Sequence, residues 1–558
     1  MTRAPQQLAR IHHDLLVVGG GVSGACIAWD AALRGLSVAL VEKEDFGHAT
    51  SANTLRVIHG GLRYLKSGDL GRFRRSLRER MVFMRIAPHL VRPLPFLIPT
   101  YGHLGRGKLL LALAHLVHET ARFDRPADAE GRSGLPRGRV LSRAECLRLF
   151  PGLEAPDLTG AVIVFDGHMV SSERLLIAIL TSAASAGAQV ANYVEATGFL
   201  RRPGRVVGIT ARDVVSGSTF DLHARVVVNA SGPWGADLLA LPDGCPPRPP
   251  VAFSKAFNIL VERALAADHA LGVYARRDHA TGGPPAAVGT GVLFLTPWWG
   301  RTLIGTAHVA SPCRPDEVAI TDAEAEAFLL EVNRAYPAAA LGLGDVSVCY
   351  AGLLPAVAGD RRRPVRLLTR YGIRDHRRDD GIDGLISVIG VKFTEARLVA
   401  QETVDLVVTK LGRPARGCAT DTTTLQGAER PDAVGSLVED ARGKVPEASA
   451  DTARRLVARY GGRAREVLKC VDAGPPARPG ADRLLVAEVR HAVREEMAVR
   501  LADVVLRRAE LGAGRDLSAS ALTTAQETMA EELGWDAARR TRELDHVARG
   551  LAIRRPTR

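Results

Sequence analysis

Residues 14–42 read DLLVVGGGVSGACIAWDAALRGLSVALVE, and the fold is decided by this stretch. Leu15, Leu16, Val17 and Val18 form a short unbroken apolar run, the pattern of a strand buried on both faces of a parallel sheet. Gly19, Gly21 and Gly24 come next in the spacing GxGxxG; residues 25–34 then read as helix and residues 37–41 as a second strand. Glycines at this spacing let the backbone turn tightly and approach a pyrophosphate, whose charge rests on the N–H groups at the helix N-terminus. Glu42 closes the second strand, where a carboxylate accepts hydrogen bonds from ribose hydroxyls. The glycine spacing alone is weak evidence, but the strand before it, the helix after it and the terminal acid all agree on a dinucleotide-binding βαβ unit.

The chain beyond Glu42 favours FAD over NAD. A nicotinamide domain continues as a regular βαβ series, whereas here a Gly-, Thr- and Ser-bearing loop at 47–54 leads into Ile58, His59, Gly60, Gly61, Leu62, Arg63, Tyr64 and Leu65. Paired glycines beside His59 and Arg63 let backbone lie close against a flat ring system. Further along, Val226, Val227 and Val228 enter a tight turn at Asn229, Ala230, Ser231 and Gly232; residues 385–389 before Gly390 have the same form, and residues 393–410 read as helix. Strand–turn–helix units at both ends of a long insertion predict one sheet assembled from distant segments. Residues 93–160 mix short apolar runs with Gly and Pro and read as a cap or substrate-side layer. After Pro414 the chain turns helical, with residues 454–460 and 486–508 as its clearest pieces. Val489, Val493, Met497 and Leu501 make one apolar stripe in the second of these. The domain boundary is therefore expected at 412–418.

Composition narrows the partners. A chain of 558 residues with 46% apolar content is too long for one core and predicts two or more structural units. The 74 Lys and Arg against 61 Asp and Glu give a net charge of +13, which favours anionic partners. Nucleic acid is not expected, since no compact basic tract interleaved with aromatics is present. The seven cysteines stand far apart with no CxxC pair, which suits a reducing compartment and leaves no metal spacing. Residues 1–13 are polar rather than signal-like, and the longest apolar run, 109–117, is about half of a bilayer span and reads as a packed helix. The expected location is thus the cytoplasm, with attachment to the inner face of the cell membrane left open. The Arg-rich helix 72–85 reads as a solvated face whose alternative is contact with anionic lipid, and Trp298 and Trp299 read as packing residues.

The chain resembles the FAD-dependent, quinone-linked glycerol-3-phosphate dehydrogenases. The resemblance rests on the stretch 17–51, IHGGLRYL at 58–65, APHL at 87–90, VNASGPW at 228–234, TPWWGRTLIGT at 296–306, SVIGVKFTEAR at 387–397 and VRHAVREEMAVRLADVVLRRAELG at 489–512. It implies an α/β, glutathione-reductase-like FAD domain joined to an α+β substrate domain and an all-α C-terminal domain. The oxidoreductase part would span 1–414, with FAD segments at about 12–80, 160–240 and 375–414 and cap segments at about 81–159 and 241–374; the helical part would span 415–558. Carried over, Gly19, Gly21, Gly24 and Glu42 would hold the ADP half of FAD, and Thr50 and Ser51 the pyrophosphate region. His59, Gly60 and Leu62 would border the flavin, Ser231 and Gly232 would lie by the cofactor, and Lys392 and Thr394 would sit near the flavin with Lys392 facing substrate. Arg63 is the first candidate for the cation that binds substrate. The implied chemistry is hydride transfer from C2 of sn-glycerol 3-phosphate to flavin N5 while a base takes the hydroxyl proton, and then electron transfer to a quinone or other acceptor. An anionic membrane surface and a homodimer are the remaining expected partners.

Several positions depart from the family pattern. Leu354 stands where the family carries an Arg for the phosphate, a charge-assisted contact of about 1.5–3 kcal/mol. Arg361, Arg362 and Arg363 are the nearby substitutes in sequence. Asn258 replaces a His able to act as base, and His308, where an Asp is usual, is the candidate replacement. Val391 replaces a Gly, and Glu395 replaces a Thr, adding a carboxylate that either disfavours phosphate or pairs with Arg397. Two alternatives therefore stay open: the same chemistry on another small hydroxy acid or an amine, and a catalytically decayed flavin-binding interaction module.

Overall fold

The computed structural model describes the chain except for residues 62–63, 65–67, 103–134, 155, 245–251, 275–290, 311–313, 358–365, 391, 429–432, 476–479, 515–516 and 557–558. Leu62, Arg63, Val391, the run 109–117 and Arg361–Arg363 thus lie outside the described residues.

All six positions of the strand His13–Val18 are buried. It pairs in parallel with Val38–Val41 on one side and with the C-terminal half of Thr219–Asn229 on the other. Leu385–Ile389 adds in parallel beyond Thr219–Asn229, and Gln189–Ala191 beyond Val38–Val41. The sheet is therefore built from three separated stretches of chain, residues 13–41, 189–229 and 372–389, as the two strand–turn–helix readings predict. Side chains alternate across it. Leu15 and Val17 pack against the helices Val22–Leu33, Ser172–Ser185 and Ala396–Leu411, alongside Trp29, Leu180 and Val404. Leu16 and Val18 face the antiparallel strands Val194–Arg202 and Arg205–Asp213 through Phe199 and Ile209.

The cap is a second, ten-stranded sheet centred on Ala252–Val261, Arg301–Ala310, Val292–Trp298, Val91–Tyr101 and Leu158–Met169. It takes in Val57–Ile58 and the whole of Leu158–Met169, so sheet membership changes inside two segments that the sequence reading gives to the FAD domain. Alternation again sorts the residues: Leu97, Ile163, Phe257, Ile259 and Ala307 pack on the helix Asp322–Ala335. Their neighbours Phe96, Ile98, Val164, Asn258 and His308 point the other way, into a cavity.

Two helical expectations need correction. The helix Leu70–Ile86 is not a simply solvated basic face, because Arg72, Glu79 and Arg80 are buried. Arg80 pairs with Asp166 at 2.8 Å, and Glu79 receives Arg397 Nε and Nη2 at 2.7 and 2.5 Å. Residues 486–508 are not one helix either. The helix Arg483–Glu495 stops, Met497 takes a left-handed φ of 55°, and the chain resumes as Leu501–Asp503 and the π-helical turn Val504–Arg508. The break has a tertiary cause: buried Glu496 accepts both Arg174 Nη1 and Nη2 at 2.6 and 2.8 Å, and the Met497 carbonyl accepts Asn192 Nδ2 at 2.8 Å. Trp298, in contrast, packs as expected, buried and donating its indole N–H to the Val170 carbonyl at 2.8 Å.

Candidate functional site

Between the two sheets lies a cavity of about 1850 Å³, lined from the glycine turn at one end to Tyr64, Lys392 and the cap strands at the other. The turn is a backbone cradle. Gly19 has φ +115°, and a Cβ there would stand 2.5 Å from the Ala230 carbonyl oxygen. A Cβ on Gly24 would stand 1.9 Å from the Gly19 carbonyl oxygen, so the helix Val22–Leu33 sits against the strand at a distance only glycine allows. Its first turn opens into the cavity through Gly21, Val22 and Ser23.

Glu42 is buried and lines the cavity, but its carboxylate also organises protein backbone. Oε2 accepts the Gly20 N–H at 2.6 Å and Oε1 accepts the Glu44 N–H at 2.9 Å. Ser51 Oγ accepts the Val22 N–H at 3.0 Å, tying the loop to the helix start. Thr50 Oγ1 exchanges hydrogen bonds with the carbonyl and amide of Leu353, both at 3.3 Å, and so clips the same loop to the cap strand Val346–Val357. Ser231 Oγ donates to Asn229 Oδ1 at 2.6 Å, and Gly232 carries the turn with φ +58°. Gly21, Glu42, Thr50, Ser51, His59, Ser231, Gly232, Lys392 and Thr394 all line this one cavity. Gly60 does not join them: its amide donates to Asp166 Oδ1 at 2.7 Å, and a Cβ there would meet Arg80 Nη1 at 2.7 Å. Gly24 likewise acts from behind, through packing.

At the far end the ammonium of Lys392 meets the hydroxyl of Tyr64 and lies 4.2 Å from the centre of its ring. The Arg72 guanidinium lies 4.2 Å from that same ring centre. Glu395, buried, faces Lys392 at 3.9 Å. It does not pair with Arg397, whose guanidinium is taken by Glu79. Asn258 Oδ1 accepts from Thr306 Oγ1 at 2.8 Å; both residues, with His308 and Leu354, line the cap wall. Sequence reasoning missed Tyr64 and Arg72 as members of this end. Tyr64 is legible as the residue after Arg63 in IHGGLRYL; Arg72 is hidden in an Arg-rich helix where only burial distinguishes it.

The residues fit FAD. Two glycines bring backbone where side chains would collide, a helix start opens toward the cavity, and the same cavity is lined by the cations Lys392 and Arg72 and the ring of Tyr64. Among the described residues no group of three or more His, Cys, Asp or Glu could hold a metal ion.

Comparison with known proteins agrees. The family described as FAD dependent oxidoreductase matches residues 14–406, and the C-terminal domain of alpha-glycerophosphate oxidase matches residues 418–540. Fold and site together are those of an FAD-dependent oxidoreductase. A glycerol-3-phosphate dehydrogenase of Synechocystis sp. is 34% identical over 540 residues, covering 94% of this chain and 93% of that protein. Glycerol-3-phosphate dehydrogenase 1 of Mycobacterium tuberculosis is 32% identical over 506 residues, covering 89% and 91%. The chain belongs to the glycerol-3-phosphate dehydrogenase family. The solved structure of the glycerol-3-phosphate dehydrogenase from Bacillus halodurans complexed with FAD shares the fold, with a TM-score of 0.76 at 24% identity over 98% of this chain and 96% of that one.

Proposed function

We propose that this chain oxidises sn-glycerol 3-phosphate to dihydroxyacetone phosphate. The observation that carries this reading is the single cavity that joins a dinucleotide cradle to a cationic end built from Lys392, Tyr64 and Arg72. FAD, held by Gly19, Gly21 and Glu42 and bordered by Thr50, Ser51, His59, Ser231, Gly232 and Thr394, supplies the hydride acceptor. Lys392 and Arg72 neutralise the substrate phosphate in a wall otherwise rich in Leu354, Phe96 and Ile98, where weak solvent screening strengthens each charge. The Tyr64 hydroxyl holds the Lys392 ammonium in place. Arg63, next to Tyr64 in sequence, adds a further cation. His308 takes the hydroxyl proton on a ring nitrogen, from a strand whose cavity face also carries Thr306. Glu395 faces Lys392 at 3.9 Å and offsets part of its charge, so Arg72 is the cation that leaves this end net positive and suited to a phosphate rather than an amine.

The division of the chain near 412–418, a quinone as final acceptor, a homodimer and attachment to an anionic membrane surface belong to the same proposal. For attachment, the net charge of +13 is the support; among the described residues no helix is long and apolar enough to cross a membrane. The test is anaerobic mixing of the purified holoprotein with sn-glycerol 3-phosphate while flavin absorbance is monitored near 450 nm. Bleaching is expected. A flavin that stays oxidised with this substrate, yet bleaches with another hydroxy acid or an amine, would replace the substrate; one that stays oxidised throughout would overturn the enzyme.

A further inference from the structure

The loop that leaves Glu42 is anchored from the far end of the chain. Asp45 is fully buried between Lys43 and Gly47, both cavity-lining, and its carboxylate receives four donors. Arg507 Nε lies at 2.5 Å, Arg508 Nη1 and Nη2 at 2.7 and 2.8 Å, and Asn192 Nδ2 at 3.1 Å. Each arginine is itself held. Arg507 Nη2 donates to Asp503 Oδ1 at 2.8 Å, which also accepts the Tyr193 hydroxyl at 2.6 Å. Arg508 Nη2 donates to the Glu496 carbonyl at 3.0 Å. Burial alone would raise the Asp45 carboxyl, but Arg508 and Arg507 outweigh it and hold the group well below the usual carboxylate range.

From Asp45 the order passes along the chain to the cavity. The Gly47 amide donates to the Gly20 carbonyl at 3.1 Å, and His48 closes on the Asp45 carbonyl with its amide at 3.2 Å. Buried Phe46 stands where a Cβ on Gly20 would collide, 2.7 Å away, so it supports the glycine turn from below. Three residues past His48, Ser51 meets the Val22 amide at the helix start.

We propose that the C-terminal helical domain completes the cofactor site: Arg507 and Arg508 act as positioning residues that, through Asp45, set the loop 43–51 against the glycine turn and so slow FAD release. The inference rests on the FAD reading above. A surface latch would not need two buried guanidinium groups on one carboxylate; placed here, they make the loop's geometry depend on the π-helical turn Val504–Arg508 being docked.

The test uses full-length holoprotein. FAD release at 25 °C is monitored by the rise in flavin fluorescence after dilution, for wild type, Asp45→Asn and the milder Arg507→Gln, which leaves the Arg508 pair intact. Thermal midpoints are recorded in parallel. Release is expected to be at least tenfold faster in Asp45→Asn and several-fold faster in Arg507→Gln, at a temperature where both remain folded by circular dichroism. Should Asp45→Asn fail to fold, Arg507→Gln decides alone. Lowered thermal midpoints with wild-type release rates would assign the cluster to stability only and overturn the proposal. Wild-type protein that holds no FAD would remove the underlying reading as well.

Discussion

Replacing Gly24 with alanine places a methyl carbon 1.9 Å from the Gly19 carbonyl oxygen. Even the tightest tolerated approach, 3.0 Å, requires the helix Val22–Leu33 to back away by about 1.1 Å, and the obstacle is backbone, which cannot swing aside as a side chain would. Gly24 is helical, so the substitution adds no penalty from φ and the effect is steric. The amides of Gly21 and Ser23 retreat with the helix, and an N–H to phosphate-oxygen distance near 2.9 Å stretches to about 4 Å, beyond hydrogen-bond range. One lost charge-assisted bond of about 1.5–3 kcal/mol corresponds to about a ten- to hundredfold weaker FAD affinity, at about 1.4 kcal/mol per decade. Overpacking costs a further ~1–3 kcal/mol of stability. The assay is titration of flavin-stripped protein with FAD, read by flavin fluorescence quenching. Gly435→Ala serves as the control, since a Cβ there meets nothing within 4 Å on the helix Ala433–Lys444; it should leave FAD affinity unchanged and stabilise by about 0.4–1 kcal/mol. An FAD affinity within threefold of wild type for Gly24→Ala, in protein of native circular dichroism, would refute the close-packing argument.

Three further outcomes are expected. Lys392→Met should lower kcat/KM for sn-glycerol 3-phosphate about ten- to a hundredfold, one charge-assisted contact, in steady-state assays with a soluble quinone. Glu79→Ala strands the buried Arg397 guanidinium and should destabilise the FAD domain by about 3–5 kcal/mol in urea unfolding. His89 is pushed down to about 3 by burial first and then by Arg174 and Arg92, so the unfolded chain, with a histidine near 6.5, takes up more protons below that value. Its contribution is complete above pH 6.5 and is lost as pH falls toward 3; at pH 5 the loss is about 2 kcal/mol, and His89→Gln should flatten that part of the stability–pH curve by this amount.

The features legible in the sequence are those with local causes. The strand of residues 13–18, the glycine turn and the acid at its second strand are set within thirty residues, and the unbroken apolar run Leu15 to Val18 signals that both faces of the strand are covered. Hidden features have partners hundreds of positions away. Nothing near Glu496 signals a helix stop, because the stop is made by Arg174 and Asn192. The basic stretch at 72–85 has the composition of a solvated face, and it is distant partners, Asp166 and Arg397 among them, that explain why Arg80 and Glu79 are inside. Glu42 reads as a ribose ligand from its place in the motif; that its oxygens also receive the amides of Gly20 and Glu44 is a matter of a few tenths of an ångström that no spacing rule encodes.

The order of strands in the first sheet has a consequence for synthesis. His13–Val18 leaves the ribosome roughly two hundred residues ahead of its neighbour Thr219–Asn229, and further still ahead of Leu385–Ile389. At about 5–20 residues per second, the nascent glycine turn waits on the order of ten to forty seconds with one sticky strand edge uncovered. Translation of this chain therefore carries a window in which that edge is open to pairing with other strands, and the parallel neighbours of the glycine turn are complete only once Leu385–Ile389 has been made.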